Sequence, residues 1–154
     1  MRVSAIVAGV ALVLAACGGE KKETSADTTT AAAPVAAPAA AATGARHEVQ
    51  MMQEGTTYKF SPADLTIKAG DVVVFKNVSG GPHNVAFKSD SIPAGAEAIL
   101  DAAIADKMGP LSSALIAAPG DSLVVSFAGA PVGAYHFTCT PHMAMGMHGM
   151  ITVQ

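Results

Sequence analysis

The residues best suited to chemistry lie near the carboxyl end of the chain, where Cys139, His142 and Met147 fall within nine positions. Their side chains offer a thiolate, an imidazole and a thioether. Soft sulfur donors combined with imidazole favour copper over magnesium, calcium or manganese. A second histidine is needed to complete such a set, and His83 is the best candidate because it stands where the turn Gly80-Gly81-Pro82 meets a predicted strand. We therefore predict one metal site built from these four residues.

Cys139 is an isolated thiol in a chain that begins with an export signal. Residues 1–16 combine a positive charge at Arg2 with an apolar run that ends in small residues, which is typical of a secretory signal peptide. The run closes with Leu14-Ala15-Ala16-Cys17, which resembles the lipobox of bacterial lipoproteins. We therefore predict that Cys17 is lipidated. Cys139 then has no disulfide partner, and a lone thiol in an oxidising compartment needs burial or a bound metal to escape oxidation.

The segment after the signal is predicted to be a flexible, disordered tether. Residues 17–46 are rich in Ala, Thr and Pro, and Val35 is their only large apolar residue. Such a segment cannot bury enough apolar surface to offset the entropy lost on ordering. The alternative is an ordinary signal peptide cut nearby, which would leave Cys17 as a free thiol on a mobile tail.

Residues 47–154 are predicted to form one domain. Their five Lys and nine Asp plus Glu give a net charge of 5 − 9 = −4 with His neutral. Nucleic-acid binding is not expected, because it requires a basic face. Short β-rich runs separated by turn signals predict an all-β sandwich of about eight strands. The predicted strands are 47–52, 65–67, 71–77, 83–88, 112–116, 122–127, 133–139 and 148–153.

Two local patterns refine this fold. Alternation along the strand 133–139 places Tyr135, Phe137 and Cys139 on one face, so the thiol points inward at the point where a loop begins. Apolar residues at helical spacing within 95–107 predict one short helix on an edge of the sandwich.

The motifs resemble those of small blue, type 1 copper proteins of the cupredoxin family, of the plastocyanin and pseudoazurin type. Pro82-His83-Asn84-Val85 resembles the first-histidine motif of plastocyanin. Cys139-Thr140-Pro141-His142, with Ala144-Met145-Gly146-Met147, resembles the ligand loop of pseudoazurin. The resemblance covers residues 47–154 and implies a Greek-key β-sandwich that holds one copper ion. It makes His83, Cys139 and His142 the strong ligands and Met147 the weak axial ligand.

The resemblance also assigns the surroundings of the metal. It implies that Asn84 hydrogen-bonds the loop beginning at Thr140 and so holds Cys139 in place. A plastocyanin-like acidic docking surface is not expected, because Thr138 stands where plastocyanins have a tyrosine associated with docking. Electron exchange is instead expected at an apolar surface around one ligand, comprising His142, Pro82, Met143 and Met145.

The implied function is that of an electron carrier, not an enzyme. We expect a monomer, tethered through its lipid at the periplasmic face of the inner or outer membrane or at the cell surface. Its expected partners are redox proteins such as c-type cytochromes or membrane oxidoreductases. The sulfur-rich run 142–150 leaves open a copper-trafficking or copper-buffering protein. A zinc site at His83, Cys139 and His142 also stays open, although a thioether is a poor zinc ligand.

The remaining histidines are not expected to bind the central metal. His47 is interpreted as a solvated residue at the start of the domain, and His136 faces away from Cys139 on its strand. His148 follows Met147 directly and is likewise not counted as a ligand. A hydrolase with a Cys-His pair would need a cleft and an orienting third residue, which one short loop does not supply.

Overall fold

The computed structural model describes residues 44–154, which contain two β-sheets and one short helix. The strands are β1 (Arg46–Glu54), β2 (Thr57–Ser61), β3 (Asp64–Ile67), β4 (Val72–Asn77), β5 (Ala86–Phe87), β6 (Lys107–Gly109), β7 (Ser112–Ser113), β8 (Ser122–Ser126), β9 (Gly133–Thr138) and β10 (His148–Val153). Helix α1 spans Ala96–Ala103, and short 3₁₀ turns span Ser89–Ser91 and Thr140–Met145. The first sheet has the order β2-β1-β4-β8 and the second β3-β10-β9-β5-β7-β6.

The predictions made for the amino-terminal region fall outside the described residues. They are the signal peptide at 1–16, the lipidated Cys17 and the tether up to residue 43. Strand β1 begins at Arg46, one position before the predicted start of the domain. Among residues 44–154, no helix is long and apolar enough to cross a membrane.

The predicted sandwich with one short helix is confirmed, although several elements differ from their predicted bounds. Strands β2 and β6 were not predicted, so the described residues form ten strands where eight were expected. The predicted helix 95–107 ends at Ala103, because Ile104 is already extended. The predicted strand 83–88 is reduced to Ala86–Phe87, because His83 forms an isolated bridge to Ile116 instead of continuing the ladder.

Both sheets contribute side chains to one core. Phe137 of β9 packs edge-to-face against Phe60 of β2 and Phe75 of β4, with ring centroids 4.8 Å and 5.3 Å away. Edge-to-face contacts between aromatic rings stabilise a fold beyond the area that they bury. Phe137 stands two residues before Cys139 and shares its inward face, as the alternation predicted. Strand β9, which ends one residue before Cys139, is therefore packed firmly against the first sheet.

Asp71, immediately before β4, makes hydrogen bonds to residues at the start of the domain. Its side-chain oxygens accept hydrogen bonds from the backbone N–H groups of Ala45 (2.8 Å) and Lys68 (2.9 Å). They also lie 2.8 Å from Nε2 of His47. His47 is therefore half-buried and paired with Asp71, and the interpretation of it as a solvated residue was wrong. We call these four residues the Asp71 lock.

Candidate metal centre

His83, Cys139 and His142 converge at the opposite end of the sandwich, beyond the carboxyl ends of β4 and β9. One ligand atom from each residue lies within 4.8 Å of the others. Sγ of Cys139 is 3.6 Å from Nδ1 of His83 and 3.3 Å from Nδ1 of His142. The exposed fraction is 0% for His83 and Cys139 and 7% for His142. We call these three residues the buried centre.

The loop after β9 is held by its own backbone. The N–H of Cys139 donates to the carbonyl of Met147 (3.1 Å), and the N–H of Met147 donates to the carbonyl of His142 (3.2 Å). The N–H of His142 donates in turn to the carbonyl of Cys139 (3.1 Å). Gly146 turns the chain with a φ of 81°, a conformation that favours glycine. Met147 thereby returns to the core, where its backbone pairs with that of Cys139 and only 1% of its surface is exposed.

His83 is oriented by bonds on both its backbone and its ring. Its backbone exchanges two hydrogen bonds with Ile116, at 3.1 Å and 2.7 Å. Nε2 of its ring lies 2.8 Å from the carbonyl of Ser79. A carbonyl only accepts hydrogen bonds, so Nε2 carries the proton and donates. In the neutral ring, Nδ1 then presents its lone pair toward Cys139, as a metal ligand requires.

Burial shifts the pKa of two groups of the centre, the Cys139 thiol and the His142 imidazole. Burial raises the pKa of the Cys139 thiol, while the backbone N–H groups of Asn84 and His142 oppose that rise. Burial also lowers the pKa of the His142 imidazole, and the neighbouring His83 lowers it further. The centre therefore favours the neutral form of the His142 imidazole. A bound cation reverses the preference of the thiol, because a coordinating thiol is deprotonated.

Asn84 connects the two loops that carry the ligands. Its Oδ1 accepts from the backbone N–H of Thr140 at 2.7 Å. Its Nδ2 lies within donating distance of Oγ1 of Thr140 (3.2 Å), Oγ of Ser112 (3.2 Å) and the carbonyl of Ser113 (3.3 Å). Asn84 is fully buried, so each of these bonds avoids leaving a polar group unpaired. The Asn84 side chain thus fixes the residue that follows Cys139.

Tyr58 is part of the site, and the sequence reasoning missed it. Its ring stacks on the His142 ring with centroids 3.8 Å apart and an interplanar angle of 11°. Tyr58 lies on β2, a strand that was not predicted. The signal that could have found it is the alternation Tyr58-Lys59-Phe60 after the turn at Gly55.

The apolar residues predicted around His142 reach the surface next to it. Met143 is 53% and Met145 50% exposed, and Pro82 is exposed on the loop that carries His83. His142 itself is nearly covered, partly by Tyr58. Only a small part of His142 is therefore open to solvent, and the two exposed methionines belong to the same 3₁₀ turn.

The donor set fits copper. Within residues 44–154, the buried centre is the one group of three or more His, Cys, Asp or Glu residues that could hold a metal ion, and it contains no carboxylate. Imidazole and thiolate without oxygen donors exclude the hard cations as natural occupants. Among the residues that the structure describes, Cys139 is the one free cysteine, and its burial keeps the thiol from solvent.

Comparison with known proteins agrees with this donor set. Residues 47–154 match the family described as copper binding proteins, plastocyanin/azurin family. The chain belongs to the plastocyanin/azurin family of copper-binding proteins. It is 36% identical to plastocyanin of Rumex obtusifolius, over 70% of this chain and 99% of the relative, and 38% identical to that of Ginkgo biloba, over 69% and 98%. The oxidised plastocyanin of Dryopteris crassirhizoma superposes with a TM-score of 0.54 at 32% identity, covering 70% of this chain and 99% of the fern protein.

Copper is accordingly the cofactor of this plastocyanin/azurin-family chain. The match covers the sandwich and both ligand loops. It does not extend to residues 1–46, so the predicted export signal and tether rest on the sequence pattern alone.

Proposed function

We propose that this protein is an exported electron carrier with one type 1 copper site, ligated by His83, Cys139 and His142 and, axially, by Met147. The observation that carries the proposal is the convergence of three buried ligand atoms within 4.8 Å. Copper would supply a one-electron couple there, and a donor set of two imidazoles, a thiolate and a weakly bound thioether would suit both of its oxidation states.

The residues around the centre limit its rearrangement. Ser79 holds the His83 ring, Asn84 holds the loop at Thr140, and Tyr58 covers one face of His142. Ligands that are already in place need little movement when the charge of the site changes. A carrier of electrons, as opposed to a catalyst that binds and transforms a substrate, benefits from that rigidity.

We place the exchange of electrons at the small open part of His142 among Pro82, Met143 and Met145. Exposed methionines adapt their shape to a partner at low cost, which suits brief contacts with several proteins. The partners proposed are larger redox proteins, such as c-type cytochromes or membrane oxidoreductases.

The location proposed is outside the cytoplasm, with the domain attached to a membrane through lipid on Cys17. The support is the apolar run that ends in Leu14-Ala15-Ala16-Cys17, followed by the Ala-, Thr- and Pro-rich segment. Lipidation would leave Cys139 as the only free thiol, in agreement with its burial. Mass spectrometry of the protein purified from membranes tests this, because a lipidated chain begins at Cys17 and carries acyl chains.

The decisive experiment is a visible absorption and EPR spectrum of the full chain carrying Cys17→Ser, loaded with one equivalent of copper(II). An intense charge-transfer band with a narrow copper hyperfine splitting, together with reversible reduction, is expected. A pale, ordinary copper(II) spectrum would overturn the assignment of the thiolate site.

A second candidate function is copper trafficking or buffering, and the exposure of Met143 and Met145 favours it. A trafficking protein passes copper(I) readily to a competing chelator, whereas an electron carrier retains one ion in both oxidation states. Timed transfer of copper(I) from the loaded protein to a chelator distinguishes the two functions.

A further inference from the structure

A second group of imidazole and thioether side chains lies on the outer face of the second sheet, away from the core. His136 projects from β9, and His148 and Met150 project from β10. In the register of these antiparallel strands, His136 is opposite Met150 and Thr138 is opposite His148. Both histidines are exposed and Met150 is half-buried. We call His136, His148 and Met150 the outer triad.

The backbone bonds determine how closely His136 and Met150 approach. The N–H of Met150 donates to the carbonyl of Ala63 (2.9 Å), and the carbonyl of His136 accepts from the N–H of Lys88 (3.4 Å). Each residue thus directs its backbone polar groups away from the other. They therefore form a non-hydrogen-bonded pair, the kind in which facing side chains lie closest, with Cα atoms about 4.5 Å apart.

His148 completes the triad from two positions along β10. Diagonal neighbours in an antiparallel pair lie about 7–8 Å apart, within the combined reach of two imidazoles. The right-handed twist of the strands brings one of the two diagonals closer. In the β9–β10 hairpin, the closer diagonal joins His136 to His148. His136 lies on the first strand, farther from the loop, and His148 lies on the second strand, nearer to it.

We propose that the outer triad is a second copper site, which binds copper(I) through two imidazoles and one thioether. Thioether donors select copper(I) among the ions that imidazole also accepts. Charges of both signs flank the triad: Asp64 is opposite Met150, Lys88 donates to the His136 carbonyl, and Asp90 lines the same cavity as His136. The site is open to solvent, so its ion exchanges readily, unlike an ion in the buried centre. This role goes beyond electron transfer and gives the protein a second, labile copper ion.

The test is an anaerobic titration with copper(I), against a chromogenic chelator, of the full chain carrying Cys17→Ser in every sample. We expect two equivalents to bind, the second more weakly, with shifts of the His136 and His148 ring-proton NMR signals during the second. The variant His136→Gln/His148→Gln should bind one equivalent and keep the charge-transfer band of its copper(II) form, because both residues lie outside the buried centre.

The matched control removes the two exposed sulfur donors of the ligand loop. Met143→Leu/Met145→Leu should still bind two equivalents. The proposal would be overturned if the protein with an unsubstituted triad bound only one equivalent of copper(I). It would also be overturned if His136→Gln/His148→Gln still bound the second equivalent. Loss of the second equivalent in the Met143→Leu/Met145→Leu control would assign it to the ligand loop instead. If the buried centre does not bind copper as proposed, the charge-transfer band will be missing from the copper(II) form of every sample, which distinguishes that failure from loss of the second site.

Discussion

Tyr58 lies flat on His142, with ring centroids 3.8 Å apart and planes within 11° of parallel. The contact joins β2, an edge strand of the first sheet, to the loop after β9 in the second sheet. It therefore ties the two sheets together at the metal-binding end. It also holds the imidazole whose Nδ1 lies 3.3 Å from the Cys139 sulfur.

Replacing Tyr58 by leucine should loosen His142. An aromatic pair contributes about 0.5–1.5 kcal/mol beyond its buried area, so we expect copper to bind roughly 2- to 10-fold more weakly. In the copper-free protein, the His142 ring protons should lose the ring-current shift that a stacked tyrosine causes. Tyr58→Phe is the control and should keep both properties. An unchanged affinity and an unchanged His142 spectrum in Tyr58→Leu would show that the stack does not position the ligand.

Replacing Cys139 by serine should abolish the charge-transfer colour and most of the copper affinity, because a hydroxyl is a hard donor with no comparable transition. Absorption spectra and copper competition measure both effects. Cys17→Ser is the matched control, since it removes the other thiol of the chain and should leave the colour intact. Retained colour in Cys139→Ser would mean that the wrong thiolate has been assigned.

Met147→Leu should leave a coloured site with a raised reduction potential. The loss of a weak sulfur donor favours the reduced ion, and the axial ligand is a known determinant of the potential of such sites. Leucine is close in volume, so the buried position should still pack. Cyclic voltammetry checks the shift, with Met145→Leu, at an exposed position of the same loop, as control. An unchanged potential in Met147→Leu would argue that Met147 is not axial.

Asn84→Ala should destabilise the copper-free fold by about 1–3 kcal/mol, because it removes the hydrogen bonds of a fully buried amide and leaves the buried Ser113 carbonyl without one of them. The largest loss is the 2.7 Å bond from the N–H of Thr140. Urea unfolding measures the change. Ser112→Ala removes only one of the contacts of Asn84 and should cost less. Equal losses in the two variants would contradict a special role for the Asn84–Thr140 bond.

The Asp71 lock should make stability sensitive to acid. The backbone N–H of Lys68 lowers the pKa of the Asp71 carboxyl most, followed by His47, while burial opposes them. A carboxyl with a lowered pKa in the folded state stabilises the fold above its unfolded pKa of about 4, and this contribution is lost as the pH falls through the folded value. The free energy of unfolding of the copper-free protein, measured from pH 5 downward over roughly 3 pH units, checks this dependence. Asp71→Asn should be less stable at neutral pH and vary less with acidification, and equal acid sensitivity would refute the prediction.

The sequence was sufficient to predict that Cys139 and His142 come together where a regular strand ends. Alternation in 133–139 gives the direction of the Cys139 side chain, and the short spacing to His142 keeps the second donor in the same loop. The burial of Tyr135 and Phe137 confirms that alternation. The family resemblance was equally readable, because its motifs are local in the chain.

Other features could not be predicted, because they depend on contacts between distant segments. The stack of Tyr58 on His142 exists only once β2 and the ligand loop meet across the two sheets. His47 is paired instead of solvated because the fold brings Asp71 next to β1. Strand β5 is short because the His83 backbone pairs with Ile116. In each case a long-range partner overrode the local pattern.

The Asp71 lock and the buried centre occupy opposite ends of the sandwich, so the point where the described chain begins is remote from the copper-binding end. The chain enters through Ala45, which is bonded to Asp71 where β4 begins, whereas His83 follows the other end of β4. An attachment made directly at Ala45, whether to a sensor surface or an electrode, would therefore leave the methionine-rich end facing away from the attachment point. A film of residues 44–154 immobilised in this way should accordingly present its copper-binding ends to the solution.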